Sequence, residues 1–259
     1  MRLRIIAAIA AAGALAAGLV VNDFAAADQG IKTVQTKRAA ARAAGDDCAL
    51  YGSGCLGDWS GYQHGVDGNT ATADVLMVGD SITNRCRTYL RQRLTPYGLT
   101  IAFDYWSSRP TADYPTVSGS AGAVTRMLSY SRIYQPNSFK AVVMATGTND
   151  FGDPGLMTSQ INRAKVIDSP LLWGTVYLSR TGTYSADLRN SGWINGQIHA
   201  SGLPTADWFA FLAGYPGFRI PNHVPDGVHP DYGTGVIGDG SGCDAWAAVY
   251  APRIAAVAQ

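Results

Sequence analysis

The sequence contains no glutamate: all nineteen of its acidic residues are aspartate. Carboxylate chemistry must therefore use the shorter side chain, and mechanisms built on a helix-borne glutamate, such as the H-E-x-x-H zinc proteases, are excluded. Charge of either sign is scarce, at 15% of residues against 47% hydrophobic, and the formal net charge is only +1. Such a chain has no electrostatic footprint for nucleic acid and no polybasic surface for anionic lipid. Lys32, Lys37, Arg38 and Arg42 cluster, but the Ala and Gln around them make this a solvated stretch. Cysteine is limited to Cys48, Cys55, Cys86 and Cys243, and none of the four has the short spacing of zinc ligands. No metal and no other cofactor is expected. The nucleophile elbow G-x-S-x-G is also missing, which disfavours the α/β-hydrolases.

What is abundant is small and apolar. Arg2 and Arg4 precede an apolar stretch over residues 5–21, and Ala25-Ala26-Ala27 then offers small side chains. This order is the pattern of a secretory signal peptide, so residues 1–27 are expected to be removed and the protein secreted. The apolar run is shorter and richer in Ala and Gly than the ~20 residues a membrane-spanning helix uses. Cleavage after Ala27 would leave a formally neutral chain. Residues 28–47 read as a polar linker and residues 48–259 as one domain, a length usual for a single α/β unit. In an exported chain an even number of cysteines points to disulfides, and four cysteines allow three connectivities.

Residues 48–72, rich in Gly, Asp and Tyr, are expected to form a loop stapled by Cys48–Cys55. From Asp74 onward, short apolar runs alternate with amphipathic stretches. Residues 75–78, 101–105, 141–145, 172–178 and 208–212 have strand character, whereas 85–94, 121–133, 157–166, 186–199 and 244–257 have helical spacing. Such alternation predicts a parallel sheet covered on both faces. Ligands of these sheets bind beyond the carboxyl ends of the strands. Ser81 follows the first expected strand, Asn149 the third and the 226–229 segment the fifth, so three polar motifs share one edge.

A serine hydroxyl at neutral pH needs a histidine base oriented by an acid. Ser81 in Gly79-Asp80-Ser81-Ile82 also suits a helix cap, and the two roles are compatible, because a helix N-terminus offers N–H groups to an oxyanion. In Gly147-Thr148-Asn149-Asp150, Asn149 can present its amide to an oxyanion while Asp150 holds the turn. Asp226-Gly227-Val228-His229-Pro230 brings an acid and a base on one segment. His223 also stands three residues from Asp226, but Pro225 stiffens that link, whereas Gly227 allows a tight turn toward His229. Gly119 precedes and Gly122 opens the expected 121–133 helix, where glycine permits close backbone approach.

Taken in order, Gly79-Asp80-Ser81-Ile82, Gly122 (or Gly119), Gly147-x-Asn149-Asp150 and Asp226-x-x-His229 resemble the four blocks of the GDSL/SGNH hydrolase family. The resemblance spans residues 79–230. It implies a flavodoxin-like three-layer α/β/α sandwich with a central parallel sheet of about five strands, and serine-based ester hydrolysis of the esterase or lipase type. It implies Ser81 as nucleophile, His229 as base and Asp226 as orienting acid, with Ser81 N–H, Gly122 N–H and Asn149 forming the oxyanion hole. The substrate class it covers is broad: small-molecule, glycan or lipid esters. An acyltransferase or deacetylase acting on envelope or plant glycans, or a non-catalytic binding protein, are the alternatives on the same fold. No obligate protein partner is expected, and the protein should be a monomer. Cys86, on the helix after Ser81, is expected to pair with Cys243, which opens the last helix. Tyr105, Trp106, Tyr114, Trp173, Trp193, Tyr215 and Phe218 are the aromatic candidates to line a substrate crevice, with Tyr105-Trp106 and 215–218 best placed.

Overall fold

The structure is a computed structural model that describes residues 64–113, 121–133, 139–150, 154–178 and 188–259. The expected signal peptide (1–27), linker (28–47) and Cys48–Cys55 staple lie outside the described residues, as do Tyr114 and Gly119. The sheet contains β1 (His64–Asp67), β2 (Val75–Gly79), β3 (Ile101–Trp106), β4 (Ala141–Ala145), β5 (Leu171–Gly174) and β6 (Thr205–Ala206). These are hydrogen-bonded in the order β1-β3-β2-β4-β5-β6. β1 runs antiparallel to β3 at the edge, and all the other pairings are parallel. The five parallel strands therefore have the flavodoxin-like order, whose switch point lies between β2 and β4.

Helices α1 (Ser81–Leu94), α2 (Ala123–Ile133), α3 (Pro154–Ala164), α4 (Leu188–Ala200), α5 (Trp208–Gly214), α6 (Pro216–His223) and α7 (Gly242–Val257), with one 3-10 turn at Thr95–Tyr97, complete the described elements. β2 and β4 are buried along their whole length, as central parallel strands are. Val75, Met77, Ala141 and Val143 meet one apolar layer, built from Ile82, Tyr89 and Leu90 of α1 and Trp246, Tyr250 and Ile254 of α7. Leu76, Val78, Val142 and Met144 point the other way, against Met127 of α2, Ile161 of α3 and Ile198 of α4. This alternation puts both faces of the sheet under helices.

Three expectations change. Residues 208–212 form helix α5 instead of a strand. Asp207 caps it by accepting from the Ala210 N–H at 2.9 Å, and Trp208 and Leu212, one helical turn apart, are its buried residues. The fifth parallel strand is the two-residue β6 just before it, too short to leave an alternating pattern. The 172–178 run starts one residue earlier, at Leu171, and leaves the sheet after Gly174. Beyond that point the Asn195 side chain brackets Val176, accepting from its N–H and donating to its carbonyl, both at 2.8 Å. Within 48–72, expected to be a loop, His64–Asp67 forms the edge strand, and Arg87 and Arg91 reach its Asp67 at 3.0 and 2.9 Å.

One charged group of the sheet is buried within it. Asp104 of β3 is fully buried, and its Oδ1 accepts from Arg109 Nη2 at 2.6 Å. Its Oδ2 accepts from Arg126 Nε at 2.9 Å and from the Tyr130 hydroxyl at 2.7 Å. On the opposite layer, Cys86 of α1 is joined to Cys243 of α7, with Cα atoms 4.9 Å apart, which is the expected pairing.

Removing one partner of a buried ionic cluster strands the others. Asp104→Ala is expected to lower unfolding free energy by about 3–5 kcal/mol, measured by urea denaturation; a loss within experimental error would refute the cluster's structural role. The Cys86–Cys243 bridge closes a loop spanning 157 residues, so the double variant Cys86→Ala/Cys243→Ala should lose about 2–4 kcal/mol. Thermal melts with and without reductant check this, and the variant's Tm should respond to reductant less than that of the wild type.

Candidate active site

The first side chain of α1 is Ser81. Asp80 caps the helix in an extended conformation, its Oδ1 accepting the Ile82 N–H at 2.9 Å. The first N–H groups of a helix have no acceptor within it, and the helix dipole there favours negative charge. Ser81 thus stands at the carboxyl end of β2, in a field suited to an anion. Its Oγ lies 2.8 Å from His229 Nε2.

His229 is carried by the loop that follows α6. Asp226 Oδ1 accepts the N–H groups of Val228 and His229 at 2.9 and 2.6 Å. Gly227, with φ of 86°, supplies the left-handed residue this turn requires. The turn brings Asp226 Oδ2 to 2.8 Å from His229 Nδ1. A carboxylate at Nδ1 keeps the proton on that nitrogen and leaves the Nε2 lone pair for the serine hydroxyl. Burial opposes ionisation of Asp226, but the bonds from the Val228 and His229 N–H groups and from the imidazole outweigh it and hold the carboxyl below its usual range. The His229 and Asp226 side chains are 21% and 32% exposed, so the pair is open to solvent.

After β4, Asn149 reaches the same edge. Its Nδ2 lies 3.3 Å from Asp80 Oδ2 and 3.3 Å from the Arg109 carbonyl. The next residue, Asp150, accepts from the Thr111 N–H at 2.9 Å and from the Thr111 hydroxyl. It therefore ties the loop after β3 to its own turn, a wider role than the expected local one. Asp80 is buried, and the loss of hydration pushes its carboxyl up to about 6, against the opposing pull of the Ile82 N–H and His229. Burial raises Asp150 as well.

The structure thus brings Ser81, Asp226 and His229 into one hydrogen-bonded chain, with Asn149 bonded to Asp80, the residue before Ser81. Gly122 is used differently from the expectation. Its N–H donates to Asp113 Oδ1 at 2.6 Å, so this donor is committed to a carboxylate. A Cβ at Gly122 would lie 2.2 Å from the Ala112 carbonyl carbon, and this close approach accounts for the glycine. The competitor His223 ends α6, buried between Phe211 and Phe218 at ring distances of 5.9 and 6.3 Å. Burial holds its imidazole below the ordinary value, and Asp226 is engaged by His229 instead. His199 sits 3.5 Å from Asp207. Of the aromatic candidates, Trp173 is fully buried, whereas Trp193, Tyr215 and Phe218 are exposed. Arg109 and Asp104 were not anticipated as parts of the site, although an aspartate inside the apolar run Ile101–Trp106 is the pattern that marks a buried, paired charge. Among the described residues no cluster of three or more His, Cys or Asp side chains could hold a metal ion.

No family model matches the chain, and no curated protein matches its sequence. Solved structures do match. The lipase/acylhydrolase from Enterococcus faecalis is 15% identical, with 70% of this chain and 95% of that one covered and a TM-score of 0.51. Est24, a carbohydrate acetylesterase from Sinorhizobium meliloti, is 16% identical over 70% of this chain and 98% of its own, with a TM-score of 0.50. The C-terminal catalytic domain of the Streptococcus pneumoniae peptidoglycan O-acetyltransferase A is 22% identical over 72% and 93%, at a TM-score of 0.47. Likeness at these identities speaks for architecture, and with the strand order above it establishes that this chain has the fold of the SGNH/GDSL-type esterases and lipases.

Proposed function

We propose that the protein is a secreted serine carboxylic-ester hydrolase that works through an acyl-enzyme. The observation that carries this reading is the continuous chain Ser81 Oγ–His229 Nε2 and His229 Nδ1–Asp226 Oδ2, each link 2.8 Å. Ser81 Oγ attacks the ester carbonyl carbon as its proton passes to His229 Nε2. Asp226 holds the imidazole in the productive tautomer and stabilises the imidazolium that results. The carbonyl oxygen, now negative, faces the Ser81 N–H at the start of α1 and the Asn149 amide. Collapse of this intermediate expels the alcohol, which takes the proton from His229. A water then attacks the acyl-Ser81, again with His229 as base, and releases the acid. Solvent exposure at His229 and Asp226 favours water as the second nucleophile.

Incubating the purified protein with p-nitrophenyl esters of rising chain length and with acetylated xylan, in the presence of a sugar acceptor, tests the reaction type. Free acid should be the main product. Acyl transfer to the sugar as the main outcome would replace hydrolase with transferase. N-terminal sequencing of exported protein tests the secretory reading, which expects a start near Asp28.

Two substitutions test the residue roles. His229→Ala should lose at least ~10³-fold in kcat on a small acetate ester, whereas His223→Ala should keep most activity, both folded by circular dichroism. The opposite ranking would reassign the base. Asn149→Ala should lower kcat by about a hundredfold or more with little change in KM, as a donor to a charge present only in the transition state must; near-normal kcat would leave Asn149 a turn residue.

A further inference from the structure

Asn149 has only one orientation that its surroundings accept. The amide nitrogen lies between two acceptors, Asp80 Oδ2 and the Arg109 carbonyl, each at 3.3 Å. Exchanging Nδ2 and Oδ1 would face the amide oxygen with both of them. Asp80 cannot swing away, since its other oxygen holds the Ile82 N–H at 2.9 Å. Both contacts to Asn149 are long for N–H···O bonds, so a hydrogen can be shared with a new negative charge at small loss.

We infer that Asp80 is a positioning residue for Asn149, turning the amide nitrogen and not the amide oxygen toward the carbonyl oxygen of an ester attacked by Ser81. This inference rests on the proposed roles of Ser81 and Asn149. The ionised carboxylate enforces the choice together with the Arg109 carbonyl, and protonation removes its share, because a protonated Asp80 carries a donor that pairs with the amide oxygen equally well. The groups around Asp80 are His229 from the 226–229 turn, Asp150 and the Thr148 hydroxyl after β4, and Tyr250 of α7. Burial brings the carboxyl up to about 6, so the orienting charge is present above that pH and is lost as pH falls through it. The sign for stability is the reverse. A carboxyl raised in the fold favours folding at low pH, and that contribution disappears as pH rises through about 6.

The test compares wild type, Asp80→Asn, Asn149→Ala and the double variant on p-nitrophenyl acetate, with mass-spectrometric labelling of Ser81 by phenylmethylsulfonyl fluoride. Asparagine keeps the helix cap, so the Tm of Asp80→Asn at mildly alkaline pH should be unchanged or higher. Its kcat should fall by about tenfold or more, with KM within about twofold. In the Asn149→Ala background the same substitution should cost nothing further, since its effect passes through Asn149. Asp80→Asn should remove from the acid limb of the kcat profile the component that Asp80 contributes at about 6. Unchanged kcat in Asp80→Asn, or losses that add fully in the double variant, would overturn the inference while labelled Ser81 leaves the nucleophile assignment standing. Hydrolysis without labelling at Ser81 would overturn both. Should Asp80→Asn not fold, Asp80→Ser, which also caps a helix, takes its place in the same comparison, and unchanged kcat there would refute the inference.

Discussion

A carboxylate in the middle of an apolar sheet is costly unless every lone pair finds a partner. Asp104 meets that demand by recruiting Arg109, Arg126 and Tyr130, and the recruitment organises the site. To reach Asp104, the chain after β3 must fold back across the ends of the neighbouring strands. On the way, Arg109 donates to the carbonyl of Gly79 at the end of β2, its own carbonyl accepts from Asn149, and Thr111 donates to Asp150. The loop after β3 thus holds the residues flanking Ser81 and the Asn149 turn in one hydrogen-bonded assembly, with the salt cluster as its anchor.

The same device recurs at smaller scale. Asp80 accepts from Ile82, Asp226 from Val228 and His229, Asp207 from Ala210 and Asp113 from Gly122. Most of these are aspartates bonding a main-chain N–H two or three residues onward, a reach that suits one methylene and not two. A chain without glutamate can therefore cap helices and close turns with aspartate at several places. In the 226–229 turn both oxygens are used: one oxygen of Asp226 closes the turn, and the other meets the imidazole.

Much of this was legible in the chain. The β2 and β4 strands read directly from unbroken apolar runs, and the five helices with clear apolar spacing fell within a few residues of their observed bounds. The segments that carry the proposed triad could be read because each is local: Gly-Asp-Ser at a strand end, and Asp-Gly-x-His in one turn. The 208–212 run misled because Trp208 and Leu212 are spaced for either a half-buried strand or a short helix, and the Asp207 cap settled it. β1 and β6 left little pattern, one being an edge strand and the other only two residues long. Gly122 matched a motif by type, yet its amide is taken by Asp113, a partner that spacing alone does not reveal.

By itself the sequence determined the parallel α/β layering, the strand ends that carry Ser81 and Asn149, and the pairing of Asp226 with His229, since each follows from contacts between residues close in the chain. Only the tertiary structure decided that the 226–229 turn meets Ser81 across 148 residues, and that Asp80 and Arg109 together hold the amide of Asn149. It also decided that Asp104 anchors the assembly. Those outcomes depend on which groups are buried together, and a buried polar group binds whatever the fold brings within hydrogen-bond reach.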